Sequence, residues 1–174
     1  MKLHLVDIYG ALIQAWRTAF AEYPEVDIQH ADILSVAHHC IVSPANSHGF
    51  MDGGIDHQYR RFFGNQIEST VQRAIVARPE GRLPVGASLL VPTRHPKIPW
   101  LIVAPTMEMP EAVPAHHCAR ALRAVLRLVD QHPQLDTDIF CPGLGTGIGR
   151  VSPEMAAHEM AGAYSEWRNR KGVS

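Results

Sequence analysis

Cysteine is scarce in this chain. Three occur in 174 residues, Cys40, Cys118 and Cys141, odd in number and widely spaced. That pattern does not make a disulfide framework, and reduced, buried thiols in a cytoplasmic protein are the expectation. Long apolar runs are missing too. None approaches the ~20 residues needed to span a bilayer, so no membrane partner is expected. The first seven residues, Met-Lys-Leu-His-Leu-Val-Asp, lack the apolar core of a secretion signal. Neither sign of charge is in excess: 16 Lys and Arg against 17 Asp and Glu give a formal net charge of −1. Electrostatic binding to bulk nucleic acid or to an anionic membrane surface is therefore not expected. What is present, 46% hydrophobic and 19% charged residues, is the composition of a globular protein. The length fits one domain, 1–174, with room for a substantial core.

A second lack concerns one stretch, Phe140 to Pro153. Glycine falls there at every second position, at Gly143, Gly145, Gly147 and Gly149, yet no lysine accompanies it. A P-loop is thereby ruled out, since it needs Gly-Lys-Ser/Thr. A dinucleotide fingerprint would be expected in a βαβ unit with an acid ~20 residues on, and this loop lies near the C-terminus. Glycines allow positive φ and close approach of a ligand to the backbone. A run of them can turn several N–H groups toward one point, an anion nest. Thr137 to Cys141 reads as a strand before the loop. Ser152 and Pro153 read as N-cap and first residue of a helix after it. Strand, glycine loop and helix start form a phosphate-binding arrangement, although a plain glycine-rich connection has the same composition.

Along the chain, Leu3–Ile8 reads as a strand. Ala11–Tyr23 reads as a helix ended by Pro24. Val26–His30 and His39–Ser43 follow as strands, and Pro44–Gly54 as a loop of small and turn-forming residues. A helical pattern begins at Ile55 and is bent or broken at Gly64. Ala87–Val91 and Trp100–Ala104 are strands, Val113–His132 a long helix with one apolar face, and Pro153–Trp167 the last helix. Short apolar strands alternating with helices predict a three-layer α/β/α domain with a central mixed, mostly parallel sheet. In such sheets ligands sit beyond the carboxyl ends of the strands. The loops after Ser43 and after Cys141 can then face one crevice.

Three stretches in order, Ala31-Asp32-Ile33, the loop Ser43-Pro44-Ala45-Asn46 to Gly53-Gly54-Ile55-Asp56, and Gly143 to Gly149, resemble the macro domain, a module that binds ADP-ribose. The order of strands and helices matches that family over almost the whole chain. The resemblance implies a ligand of ADP-ribose or an ADP-ribosylated macromolecule; no cofactor and no metal are expected. Asp32 would accept a hydrogen bond from the adenine amino group, with the Ile33 N–H beside it. Asn46 would sit near the distal ribose. Gly53, Gly54 and Ile55 would face the diphosphate at a helix start, and Gly143, Leu144, Gly145, Thr146, Gly147, Ile148 and Gly149 would clamp its other side. Asp56 matches an acid that some hydrolytic members use to position or activate water, so Asn46 and Asp56 are the candidate catalytic pair. Phe140 and Pro105-Thr106-Met107 are candidates for the adenine and ribose walls.

The chain departs from the family pattern in three places. Ser43 stands where the first Asn is usual, Asp52 interrupts the glycine run, and Arg150 follows the second loop. Asp52 can point away or bind a ribose hydroxyl or a water. Arg150 can pair with it or reach a phosphate. Plainer roles are open for several residues. Asp32 can be a turn or cap residue, and Asp56 a helix-dipole acid. His48 and His57 can be surface residues. The triplets His38-His39-Cys40 and His116-His117-Cys118 do not have the spaced pattern of a metal site, because adjacent side chains diverge. The function expected is binding of ADP-ribose with hydrolysis at the distal ribose, as an ADP-ribosyl hydrolase or an ADP-ribose 1″-phosphate phosphatase. The alternative is a non-catalytic reader.

Overall fold

The computed structural model describes residues 1–172. Strand β1 (Lys2–Asp7) shows how the sheet divides the molecule. Leu3 and Leu5 enter one hydrophobic cluster while Val6 enters the other, the two-residue alternation of extended backbone. The same split recurs in β3 (Cys40–Ser43), where Cys40 and Val42 oppose Ile41, and in β6 (Asp138–Cys141), where Ile139 and Cys141 oppose Phe140. Both faces of the sheet are therefore covered. Helices α1 (Gly10–Ala19), α5 (His116–Gln131) and α6 (Pro153–Arg170) supply the first cluster. The short α2 (Ile33–Val36), α3 (Gly54–Phe63) and α4 (Gln66–Val76) supply the second.

With β2 (Asp27–His30), β4 (Leu89–Pro92) and β5 (Trp100–Val103), the six strands run in the order β2-β1-β6-β3-β5-β4. Only β4 is antiparallel to its neighbour. The expected mixed, mostly parallel sheet is the one observed. Five carboxyl ends, at Asp7, His30, Ser43, Val103 and Cys141, thus open on one edge.

Several boundaries differ from expectation for local reasons. Helix α5 starts at His116 rather than Val113, because Val113 precedes Pro114, which disfavours helical backbone before it; the Val113 N–H goes instead to the Gly149 carbonyl at 2.9 Å. Gly64, at φ 96°, separates α3 from α4, and its N–H closes onto the Arg60 carbonyl. Helix α2 and a 3-10 turn at Pro133–Leu135 were not anticipated; each is too short to leave a periodic signal. Ser152 does cap α6, accepting from the Met155 N–H at 3.3 Å.

At the opposite end of the sheet, buried His4 joins three strands. Its Nδ1 lies 2.8 Å from Asp27 Oδ2 on β2 and its Nε2 2.6 Å from Asp138 Oδ1 on β6. The ring stacks on Phe140, with centroids 4.3 Å apart. Hydrogen bonding to His4 holds the Asp138 carboxyl below its ordinary value. At Asp27 partial burial pushes upward, but hydrogen bonds from Gln29 and His4 prevail and the net shift is downward.

Candidate functional site

A cleft of about 280 Å³ opens at the carboxyl ends of the strands. One wall is the N-terminus of α3. Its cap residue, Gly53, has no side chain with which to satisfy the helix. The N–H groups of Gly54, Ile55 and Asp56 are in the first turn and have no intrahelical acceptor. Gly54 adopts φ 59°, a conformation that favours glycine.

The opposite wall is the glycine loop, which is held from beneath by its carbonyls. The Leu144 carbonyl accepts from Cys118 Sγ at 3.0 Å, Gly145 from the Val151 N–H at 2.9 Å, and Gly147 from the Arg150 N–H at 3.1 Å. The backbone N–H groups of Thr146, Gly147, Ile148 and Gly149 are taken by no acceptor among the described residues. Gly145 has to be glycine on two counts. It adopts φ 73°, and a Cβ there would lie 2.9 Å from Cys118 Sγ. A Cβ on Gly147 would meet nothing within 4 Å, so that position opens to the cleft. The two walls approach each other closely: Ile148 Cδ1 is 3.1 Å from where a Gly53 Cβ would stand. Leu144 differs from its neighbours. Its side chain is fully buried in the core and does not line the cleft. It packs into the cluster beneath the loop, which leaves only its backbone at the loop.

At one end of the cleft lies Asp32. Its Oδ1 caps α2 through the Leu34 N–H at 2.9 Å, while the residue remains exposed and lines the cleft. The capping role and a place at the site are therefore compatible. Ile33 lies beside it. Register explains what else comes here. Asp7 of β1 pairs with His30 of β2, so the residues that follow each strand emerge side by side. Asp7, Ile8 and Tyr9 line this end and were not recognised from sequence. The Asp7 carboxylate accepts from the Tyr9 N–H at 3.0 Å and from the Gly143 N–H at 3.1 Å. It ties the first strand to the glycine loop 136 residues away. An acid at the carboxyl end of a strand was the available signal. Phe140, considered for the adenine wall, is instead buried against His4 and is absent from the cleft. Thr106 and Met107 line it.

Asn46 and Asp56 lie toward the other end. Asn46 holds its own loop together. Its Oδ1 accepts from the His48 N–H at 3.1 Å and the Phe50 N–H at 3.2 Å, and its Nδ2 donates to the Phe50 carbonyl at 2.9 Å. One amide proton is left over. A bridge to Met107 fixes the loop against the next turn. Glu68 of α4 fixes it from behind, accepting from the Met51 N–H at 2.7 Å, with Arg60 3.3 Å from the same carboxylate.

Asp56 is buried, at 7% exposure. Burial pushes its carboxyl up to about 7, and only the hydrogen bond from Ser43 Oγ, at 2.6 Å, works against this. Ser43, the departure at the first loop, thus supplies a donor to this acid. The Tyr59 phenol is also pushed well up, first by burial and then by the nearby carboxylate of Asp56, and it donates to the Val42 carbonyl at 3.0 Å. Asp52 lines the cleft and is exposed. Arg150 forms no ion pair with it among the described residues. His48 and His57 are exposed and outside the lining.

At the carboxyl edge of the α/β sheet, two arrays of N–H groups that no acceptor takes among the described residues thus face each other across one cleft. The macro domain profile matches residues 42–160, and the chain belongs to that family. A protein of Aquifex aeolicus, itself uncharacterized, is 36% identical over 138 residues, covering 78% of each chain. The fold is that of the macrodomain of Mycobacterium tuberculosis DarG, with TM-score 0.66 and 20% identity, covering 78% of this chain and 87% of that one. It is also that of an Oceanobacillus iheyensis macrodomain variant with ADPR, with TM-score 0.67 and 19% identity, covering 78% and 74%.

Proposed function

We propose that this macro domain binds ADP-ribose or a close derivative and hydrolyses derivatives that carry a group on the distal ribose, releasing ADP-ribose. The observation that carries the reading is the pair of facing N–H arrays, the α3 start and Thr146–Gly149, in a cleft whose lining includes no Lys or Arg. Such a cradle suits a diphosphate by dipoles and N–H groups alone. The related Oceanobacillus iheyensis protein is described with ADPR, which agrees with this ligand. Asp32 then receives the adenine amino group and the Ile33 N–H meets the base edge. Asn46 offers its remaining amide proton to the distal ribose. The whole chain acts as one macro domain, since β1 and β2, which precede the matched segment, pair within the same sheet.

For hydrolysis, a water attacks the anomeric carbon while the bond to the leaving group breaks. Asp56 in its ionised form takes the proton of that water, and the leaving group departs with the bonding electron pair and takes a proton from solvent. A carboxyl near 7 is half ionised around neutrality and suits either direction of transfer. Positioning, rather than a strong nucleophile, supplies the rate.

The test has two stages. Titration with ADP-ribose by calorimetry comes first, and absence of binding overturns the ligand. Incubation with an ADP-ribosylated substrate and with ADP-ribose 1″-phosphate follows, with free ADP-ribose measured. Binding without release from either leaves a non-catalytic reader of the same ligand.

A further inference from the structure

Large apolar side chains are not exposed at random over this surface. Of the eight that are exposed among the described residues, Ile8, Tyr9, Phe50 and Ile148 line the cleft, and Met109 adjoins the lining residue Pro110. Ile8 and Tyr9 stand at the Asp32 end. Phe50, 43% exposed, and Met109, 47% exposed, belong to the segments joined at the Asn46 loop, and Ile148, 39% exposed, stands over the Gly53 wall that continues from that loop. The backbone brings them together. The Ser47 N–H bonds to the Met107 and Glu108 carbonyls, which lays the segment carrying Met109 and Pro110 against the Asn46 loop. Ile148 reaches across from the glycine loop to Gly53. A diphosphate and two riboses offer little apolar surface to such a collar, and exposed clusters of this kind mark contacts with a larger partner.

The charge around the collar narrows the partner. Asp7, Asp32 and Asp52 line the cleft beside the buried Asp56, with no Lys or Arg in the lining. Exposed Glu111 stands next to Pro110, and Arg82, the cation paired with Glu108, is neutralised by it. Arg150 is the one exposed cation flanking the glycine loop. A nucleic-acid strand draws its affinity from several basic contacts to phosphates, and this mouth would repel it. An apolar segment with basic residues meets both features.

We infer that the collar of Phe50, Met109 and Ile148 docks the polypeptide on either side of an ADP-ribosylated side chain, so that the target is a modified protein and not a modified nucleic acid. This rests on the ligand and orientation proposed above. Burying half of one such side chain is worth about a fivefold gain in affinity.

The experiment compares three probes by calorimetry: free ADP-ribose, a basic, leucine-containing peptide bearing one ADP-ribosyl group, and an ADP-ribosylated single-stranded oligonucleotide. The last two are attached through non-hydrolysable linkages. The expected result is that the peptide conjugate binds at least about fivefold more tightly than free ADP-ribose, and that the oligonucleotide conjugate binds no more tightly than free ADP-ribose. Met109→Ser should remove most of the peptide's advantage and leave free ADP-ribose unchanged, and Glu111→Lys should improve the oligonucleotide. Tighter binding of the oligonucleotide than of the peptide overturns the inference, as does an undiminished peptide advantage in Met109→Ser. Failure of free ADP-ribose itself to bind overturns the function reading, and the inference with it, and is seen in the first titration.

Discussion

Asp56 allows a prediction whose sign separates two accounts of one residue. If it serves α3 as a helix-dipole acid, it is ionised in the folded state and stabilises more as pH rises through the carboxylate range. The structure instead buries it at 7% exposure, with one hydrogen bond from Ser43, and the carboxyl rises from 3.8 to about 7. A folded-state value above the unfolded one means that ionisation costs stability. The cost is absent below about pH 4, grows between there and pH 7, and is complete above. Three units correspond to about 4 kcal/mol at roughly 1.4 kcal/mol per unit. Asp56→Asn cannot ionise, yet its amide oxygen still accepts from the Ser43 hydroxyl. Urea unfolding of both proteins between about pH 4 and about pH 8 isolates this term, because all other titrating groups cancel in the difference. The variant should gain on the wild type as pH rises, by about 4 kcal/mol over the range. Loss of relative stability by the variant over the same range would refute the buried-proton account and restore the helix-dipole one.

Three further outcomes are expected. Gly147→Glu should fold normally, since a Cβ there meets nothing within 4 Å, yet lose about a hundredfold or more in ADP-ribose affinity, because its carboxylate stands among the N–H groups meant for the diphosphate; melting and calorimetry read the two parts, and Gly147→Ala is the control. Asp32→Ala should lose the α2 cap at a cost of about 1 kcal/mol and no longer distinguish adenine from hypoxanthine, an oxo-purine without the amino group, in competition binding. His4→Ala should destabilise by about 2–4 kcal/mol in urea unfolding, since it leaves a cavity on Phe140 and sets Asp27 and Asp138 without their common partner.

Much of the architecture was readable before any coordinates. Short apolar runs marked β1, β3 and β6 as strands of a sheet covered on both faces, and glycine and proline marked where helices α3 and α6 begin or end. The cap at Ser152 and the two glycine-rich loops are short-range signals, carried by residues within a few positions of one another. The macro domain was recognisable for the same reason, because its loops keep a local pattern. Elements of a single turn, such as α2, left no such trace.

Contacts between distant segments were a different matter. Asp7 meets Gly143 only because β1 lies beside β6 in the sheet, and Phe140 faces His4 rather than the ligand cleft for the same reason. Periodicity says which way a side chain points, not which strand lies next to it. Asp56 shows the limit most clearly. Its position at the start of a helix is written within the thirteen positions that separate it from Ser43, but its protonation depends on how much water the surrounding fold removes. That quantity is summed over α3, β3 and the loops packed on them. The chain's local order therefore specified the two glycine-rich walls of the cleft, while packing of the complete sheet set the charge of the acid beside them, because desolvation is a property of the assembled interior and not of any one stretch.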